Sequence, residues 1–291
     1  MTARTIHHCG LRFRARPTER GFTLVELMIA VTISLFLTGA LLTLVQAMKS
    51  TSGIQGGLSQ LQDNERMAMT LITDVIQQAG YYPNPSVNTA VAEFPAVAPF
   101  AFAGQSISLN AGQSFVGEGN YNDPPPPATS NSITVRYATG GMNVVAPAVP
   151  DNIINCSGNT SQNPTTFTNT FSLVADPSVA GTFDLVCQLQ DSTAGTINEV
   201  YLVTGVTQLQ IYYGVKTNST INNNSVDAYL DANTVTAGNY WNNVISVKVT
   251  LTFVNPLYGN LAGQNTDPGT PQTIAFTRVI DIMNKTGGAT T

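Results

Sequence analysis

Hydrophobic positions follow three different rhythms along this chain. From Phe22 to Met48 they are nearly continuous, and these 27 residues carry one charge, Glu26. The run is longer than the ~20 apolar residues that span a bilayer as a helix. From Leu58 to Ala79 the rhythm changes: Leu58, Leu61, Ala68, Leu71, Ile72, Val75, Ile76 and Ala79 recur every three or four residues. That spacing predicts an amphipathic helix with one buried stripe. Between the two stand Gly53, Gly56 and Gly57. Each Gly costs about 1 kcal/mol in a helix interior relative to Ala, so a hinge or weakened turn is expected there. Gly80 predicts a C-cap, and Pro83 and Pro85 forbid continuation.

The third rhythm is two-residue alternation. It starts at 132–138, with Ile133, Val135 and Tyr137 on one face, and recurs at 171–174, 183–189, 199–203, 206–213, 244–254 and 273–282. In 244–254, Ile245, Val247, Val249, Leu251 and Phe253 alternate cleanly with polar residues. Before these strands, 83–131 is rich in Ala, Pro, Gly and Asn and reads as an irregular excursion with one short strand near 106–109. Pro124 to Pro127 form a short polyproline stretch, a spacer or rigid loop more often than a ligand. The fold class expected is α+β: a long N-terminal helix, half membrane-spanning and half amphipathic, packed on an antiparallel β-sheet head. The organisation read from these patterns is 1–21 leader, 22–48 membrane and assembly helix, 49–80 amphipathic half, 81–131 irregular Pro/Gly-rich region and 132–291 β-rich head.

The junction at the start of the apolar run carries a motif. A basic leader ends at Arg20, Gly21 follows, and a single acid stands five residues later in Gly21-Phe22-Thr23-Leu24-Val25-Glu26-Leu27. This stretch resembles the type IV prepilin signature. The resemblance implies a membrane peptidase that cuts between Gly21 and Phe22 on the cytoplasmic side and N-methylates Phe22. Glu26 then becomes the fifth mature residue. An ordinary signal anchor would have to supply leader, Gly junction and Glu together by chance. Residues 65–82, with Arg66, Ala68, Leu71, Asp74, Ala79, Gly80 and Tyr81, resemble the corresponding helix of PilW-type minor pilins. Stretches 205–215 and 241–249, with Tyr229-Leu230-Asp231-Ala232 between them, resemble the closing strands of the same family. The resemblance covers 20–82 and 205–254 and leaves 83–200 unmatched. In one place the chain departs from it. Where the family often has an Asp/Gly-rich loop suited to calcium, 216–227 offers the single carboxylate of Asp227 among amides and Lys216. That is a poor site for a hard dication, so a polar hairpin loop without metal is expected.

Charge and cysteine usage then fall into place. Arg4, Arg12, Arg14, Arg16 and Arg20 precede the cut, as do both histidines, His7 and His8. Removing 1–21 leaves 7 Lys/Arg against 16 Asp/Glu, a net charge of −9. A positive leader keeps the N-terminal side in the cytoplasm and places the acidic remainder outside. A mature chain without histidine cannot run a Ser-His-Asp or Cys-His site or a His-bearing zinc site. The acidic balance argues against direct nucleic-acid binding. No phosphate loop, nucleophile elbow or metal-ligand cluster appears, so no catalytic residue, cofactor or metal is expected. Cys9 lies in the leader. Cys156 and Cys187 remain as an even pair in an oxidising compartment and are expected to form a disulfide worth roughly 3–4 kcal/mol.

The remaining chemistry is assembly. A lone carboxylate in an apolar helix would sooner take up a proton than stay charged, and is a functional hypothesis by default. An ammonium on a neighbouring helix offers it a partner. The resemblance implies this pairing, between the amine of Phe22 on one pilin and Glu26 on the next. Thr23, Thr32, Ser34, Thr38 and Gly39 suit close helix–helix contact, although ordinary membrane-helix composition accounts for them equally. The function expected is that of a PilW-type minor pilin that helps initiate or cap a pilus, serving adhesion, twitching motility or DNA uptake. Its partners would be other minor and major pilins through the N-terminal helix, and the prepilin peptidase. Its location would be the inner membrane, single-pass with a periplasmic head, and then the pilus. Two alternatives stand beside it: a J-type minor pseudopilin of type II secretion, and a membrane-anchored periplasmic binding module, against which the junction motif tells.

Overall fold

The computed structural model describes residues 21–83, 85–119, 131–139, 152–161, 164–192, 195–218, 225–258 and 271–286. The leader up to Arg20, Pro124 to Pro127 and the centre of the Asn-rich loop lie outside the described residues. The chain divides after Ser52 into two compact units.

Helix α1 runs over Leu24–Gln77. In the first unit its side chains from Leu24 to Lys49 are all exposed. Hydroxyls do not break this apolar surface, because they bond back to their own helix. Thr32 Oγ1 donates to the Ile29 carbonyl at 2.8 Å, Ser34 Oγ to Val31 at 2.9 Å and Thr38 Oγ1 to Ser34 at 2.7 Å. By length and composition α1 is able to cross a membrane, and such internal satisfaction is what a lipid environment demands.

In the second unit α1 becomes one-sided. Leu61, Ala68, Met69, Ile72, Val75 and Ile76 are buried, each large side chain contributing about 1.5–3 kcal/mol relative to exposure. Met69 joins the expected stripe, while Leu71 is only half-buried. The expected interruption is not there: the helix runs unbroken through Gly53, Gly56 and Gly57. At Gly57 packing supplies a reason for the missing side chain, since a Cβ would come within 3.0 Å of Pro256 Cβ. The helix stops at Gly80, whose φ of 75° is the left-handed conformation of a C-cap.

The expected strands are all present, the short one near 106–109 included, and three more accompany them among the described residues. A hairpin, β1 (Val97–Phe102) and β2 (Gln105–Leu109), stands apart from the main sheet. The main sheet contains β3 (Phe115–Glu118), β4 (Ser132–Thr139), β5 (Thr165–Ala175), β6 (Phe183–Asp191), β7 (Thr196–Val215), β8 (Ala228–Leu230), β9 (Val244–Val254) and β10 (Thr273–Asp281). Its order is β10-β9-β7-β6-β5-β4-β3, with β8 paired to β7, and every pairing is antiparallel. The two strands expected at 199–203 and 206–213 are one strand, β7, whose pairing with β6 shifts register between Val203 and Val206. The architecture is α+β, a long helix on an antiparallel sheet.

The largest departure from the sequence reading is 81–131. The one short strand expected near 106–109 is there as β2, but in place of an irregular excursion around it the described residues hold a short helix, α2 (Ala90–Glu93), and the strands β1 and β3. Phe102, Ile107, Leu109 and Val116 form a second small core with Val186 of β6. The helix covers one face of the sheet and this segment covers part of the other. Strand β4 is consequently buried at all eight positions, although its alternating sequence predicts one solvent face.

Candidate functional site

The N-terminus of α1 is built by a local exchange between two side chains. Thr23 is the residue before the helix, and Glu26 is its third residue. The Thr23 N–H and the Thr23 hydroxyl both donate to Glu26 Oε2, each at 3.0 Å. In return the Glu26 N–H donates to Thr23 Oγ1 at 3.3 Å. This is a capping box, in which Thr and Glu three residues apart satisfy each other's orphan donors. It also places a carboxylate where the helix dipole favours negative charge. The signal, Thr-x-x-Glu before an apolar run, stands openly in the sequence, and it gives Glu26 a role within its own helix besides the expected pairing with another molecule. Oε2 takes all these bonds, and Oε1 has no partner among the described residues. Phe22, four residues before Glu26, is 88% exposed. Gly21 is exposed as well, with nothing within 4 Å of where its Cβ would stand.

The expected disulfide is present: Cys156 and Cys187 are bonded, with Cα atoms 6.3 Å apart. Both are fully buried. The bond ties 152–161, a segment with little regular structure, to β6 in the middle of the sheet. The Cys156 N–H donates to Asn169 Oδ1 at 2.9 Å, which anchors the same segment to β5. Beside it, Met67, Leu71, Ile154, Val200 and Leu202 line a mostly apolar groove of about 500 Å³, with Asp63, Arg66 and Asp74 at its margin.

The two described ends of the loop at 216–227 are tied together by its one carboxylate. Asp227 Oδ2 accepts from the Thr217 and Asn218 N–H groups, each at 2.9 Å. The Asn218 donor, ahead of those of Thr217, holds this carboxyl below the usual range. Among the described residues there is no group of three or more His, Cys, Asp and Glu side chains placed to hold a metal.

Between β3, β7 and the 3-10 turn Trp241–Asn243, three aromatic rings close the end of the core. Tyr213 and Trp241 meet edge to face at 4.8 Å between centroids, and Phe115 touches both. Tyr213 and Trp241 belong to the two stretches whose sequence resembles the family's closing strands. Here they close the core as neighbours in space.

Two family models match this chain. The prokaryotic N-terminal methylation motif matches 16–42, across the junction and the first part of α1. The type IV pilus-assembly protein W family matches 172–281, from within β5 to the last residue of β10. The second match begins well before Gly205 and so takes in β6 and Cys187, beyond the reach of the sequence resemblance. Comparison with curated proteins and with solved structures returned no match. A prepilin-type N-terminus on an apolar helix and a PilW-type sheet, joined in one antiparallel α+β chain, make this a type IV prepilin-like protein of the PilW type.

Proposed function

We propose that this chain is a minor pilin that helps to start or cap a type IV pilus. The observation that carries the reading is the lone Glu26 in the apolar run, five residues after Gly21, at the capped start of α1. On this reading the precursor sits in the inner membrane with its head in the periplasm. The prepilin peptidase cuts between Gly21 and Phe22, and Phe22 becomes the methylated N-terminus. The new ammonium then pairs with Glu26 of an adjacent pilin.

The capping box refines that step. Glu26 is not an unsatisfied charge waiting for a partner, because Oε2 already serves its own helix. Oε1 is the oxygen left for the neighbour's amine. Pairing therefore adds a second interaction to a carboxylate that is already oriented, which lowers the entropy lost on assembly. The apolar surface from Leu24 to Met48 exchanges lipid for the helices of other pilins. The head, with two layers on its sheet, suits a low-copy subunit at the tip or in a priming complex. The chain acts as a structural part, with no reaction of its own. Adhesion, twitching motility and DNA uptake would depend on it through the filament.

Deletion of the gene, complemented by the intact chain, tests the reading. Loss of surface pili and of twitching with normal exoenzyme secretion is expected. Normal pili with a secretion defect would instead assign the chain to a type II secretion pseudopilus, as a J-type subunit.

A further inference from the structure

The sheet ends in a strand built to be paired. β10 is the last strand on its side of the order, bonded to β9 through nine consecutive residue pairs without a register shift. Two hydrogen bonds at its ends fix which backbone groups point outward. The Asn255 N–H donates to the Gln272 carbonyl and the Ile282 N–H to the Ile245 carbonyl, both at 2.9 Å and both on the register of that pairing. In an antiparallel ladder the bonded residues alternate. The even-numbered residues of β10 therefore turn their N–H and C=O groups to β9. Thr273, Ala275, Thr277, Val279 and Asp281 turn theirs to the open edge. All five are exposed, and none makes an outward backbone bond among the described residues.

Exposed edges of this kind are normally blunted by a proline, a bulge, charged side chains or shortness. β10 has no proline and no register shift over its nine pairs, and its two charges are Arg278, engaged with α1, and Asp281 at its last position. Its helix-side residues are committed to the core: Ile280 is buried, and Ile274 and Phe276 pack against the main cluster. Arg278 donates to Thr73 Oγ1 of α1 at 3.3 Å. The strand is held from one side, and among the described residues no strand lies on the other.

We propose that the outer edge of β10 accepts an extended strand from a different pilin-type subunit. The proposal rests on the reading of the chain as a component that works beside other pilins. Unpaired backbone donors and acceptors at a two-residue repeat specify a β-strand as the occupant. Charge selects a different chain over a second copy. From Gly53 onward the chain carries 6 Lys/Arg against 15 Asp/Glu, so two copies repel each other. The outward side chains Ala275, Thr277 and Val279 are neutral, and Asp281 closes the row. The complementary strand is neutral along its length with a basic residue facing Asp281.

The test uses the full-length chain in its own cells, with a photo-crosslinking residue in place of Val279. A light-dependent adduct with another chain that carries a prepilin N-terminus, identified by mass spectrometry, is expected. Ala275→Pro removes one outward N–H without touching the bonds to β9 and should reduce that adduct at least tenfold. Ala275→Ser should leave it unchanged. Formation of the Cys156–Cys187 disulfide and resistance to protease report that each variant is folded. If Ala275→Pro fails there, Thr273→Pro at the first strand residue carries the same test. No adduct, an adduct only with a second copy, or an adduct indifferent to proline overturns the proposal. If deletion leaves pili and secretion intact while the adduct with a pilin forms, the pilus reading falls and the edge pairing stands. Pili lost on deletion with no adduct removes the edge pairing alone.

Discussion

Arg136 donates twice to one carbonyl, that of Gln113, through Nε at 3.1 Å and Nη2 at 2.6 Å. Its other hydrogen bonds among the described residues also go to backbone carbonyls: Pro95 at 2.5 Å, Asn110 at 3.1 Å and Phe94 at 3.5 Å. The guanidinium lies 5.4 Å from the centroid of the Phe94 ring and is 1% exposed. Burial lowers its pKa to about 10, so it remains charged at neutral pH. One side chain of β4 thus gathers the ends of the 94–113 segment and holds them on the sheet. Arg136→Met would leave the buried Gln113 carbonyl without its two donors, at about 1–3 kcal/mol, while the Phe94 and Asn110 carbonyls keep the Gly112 and Gln113 N–H groups. A loss of about 1–3 kcal/mol is expected in denaturant unfolding of the full chain in detergent. Proteases should cut within 94–113 before the rest of the head unfolds. Arg136→Lys, with fewer and less directed donors, should fall between. A variant as stable as the parent would show that the carbonyls find other partners.

Processing and assembly are separable at the N-terminus. Gly21→Ala or any larger residue is expected to block cleavage and leave an unprocessed band on a gel. Glu26→Ala should be cleaved normally but enter filaments poorly. Thr23→Val provides the control. It removes the side-chain half of the capping box, worth about 1 kcal/mol at the helix start, yet keeps the carboxylate. Incorporation should survive in Thr23→Val and fail in Glu26→Ala. Equal failure in both would mean that Glu26 acts only as a cap.

The disulfide closes a loop with a sequence separation of 31. Replacing both Cys156 and Cys187 by Ser should cost roughly 3–4 kcal/mol, read as a lower unfolding midpoint. The loss should be seen first as protease sensitivity in 152–161, which the bond and Asn169 together hold against the sheet.

Asp184 gives a pH signature. It is 7% exposed, and its Oδ1 has no hydrogen bond among the described residues. Burial, then the charge of Asp176, raises its pKa. A carboxyl whose folded value lies above its unfolded value favours the folded state when protonated. That contribution is complete below the ordinary carboxylate range and is lost as pH rises through the raised value. Asp184→Asn should therefore raise Tm at pH 7, by ~2 °C or more. The advantage should shrink in acid below the ordinary Asp value of about 3.9. A pH-independent difference would rule out titration as its cause.

The candidate site was largely legible because its parts are local. Gly21, Phe22 and Glu26 stand together in the sequence, and the capping box was there to be read in Thr23-Leu24-Val25-Glu26. The long strands 244–254 and 273–281 were equally plain, since each packs one apolar face on α1. Of the excursion before β4 only the short strand near 106–109 was legible. Phe102, Ile107, Leu109 and Val116 are spread among Ala, Pro and Gly, and the surface they cover comes from β6, some seventy residues later in the chain. Arg136 was hidden for the same reason, because an arginine on the polar side of an alternating strand looks solvent-facing until another segment covers it.

By itself the sequence determined the apolar run with its single acid, the buried stripe of the amphipathic half and the two-residue repeat of the strands. These follow from backbone geometry acting over a few residues, so the pattern and the element share one period. Only the tertiary structure decided that Gly57 packs beside Pro256, that β4 is covered on both faces, and that β10 has no strand on its outer edge among the described residues. In each case the outcome depends on which distant segment lies alongside. The energy of that contact exceeds the local preference of about 1 kcal/mol per residue that the sequence displays.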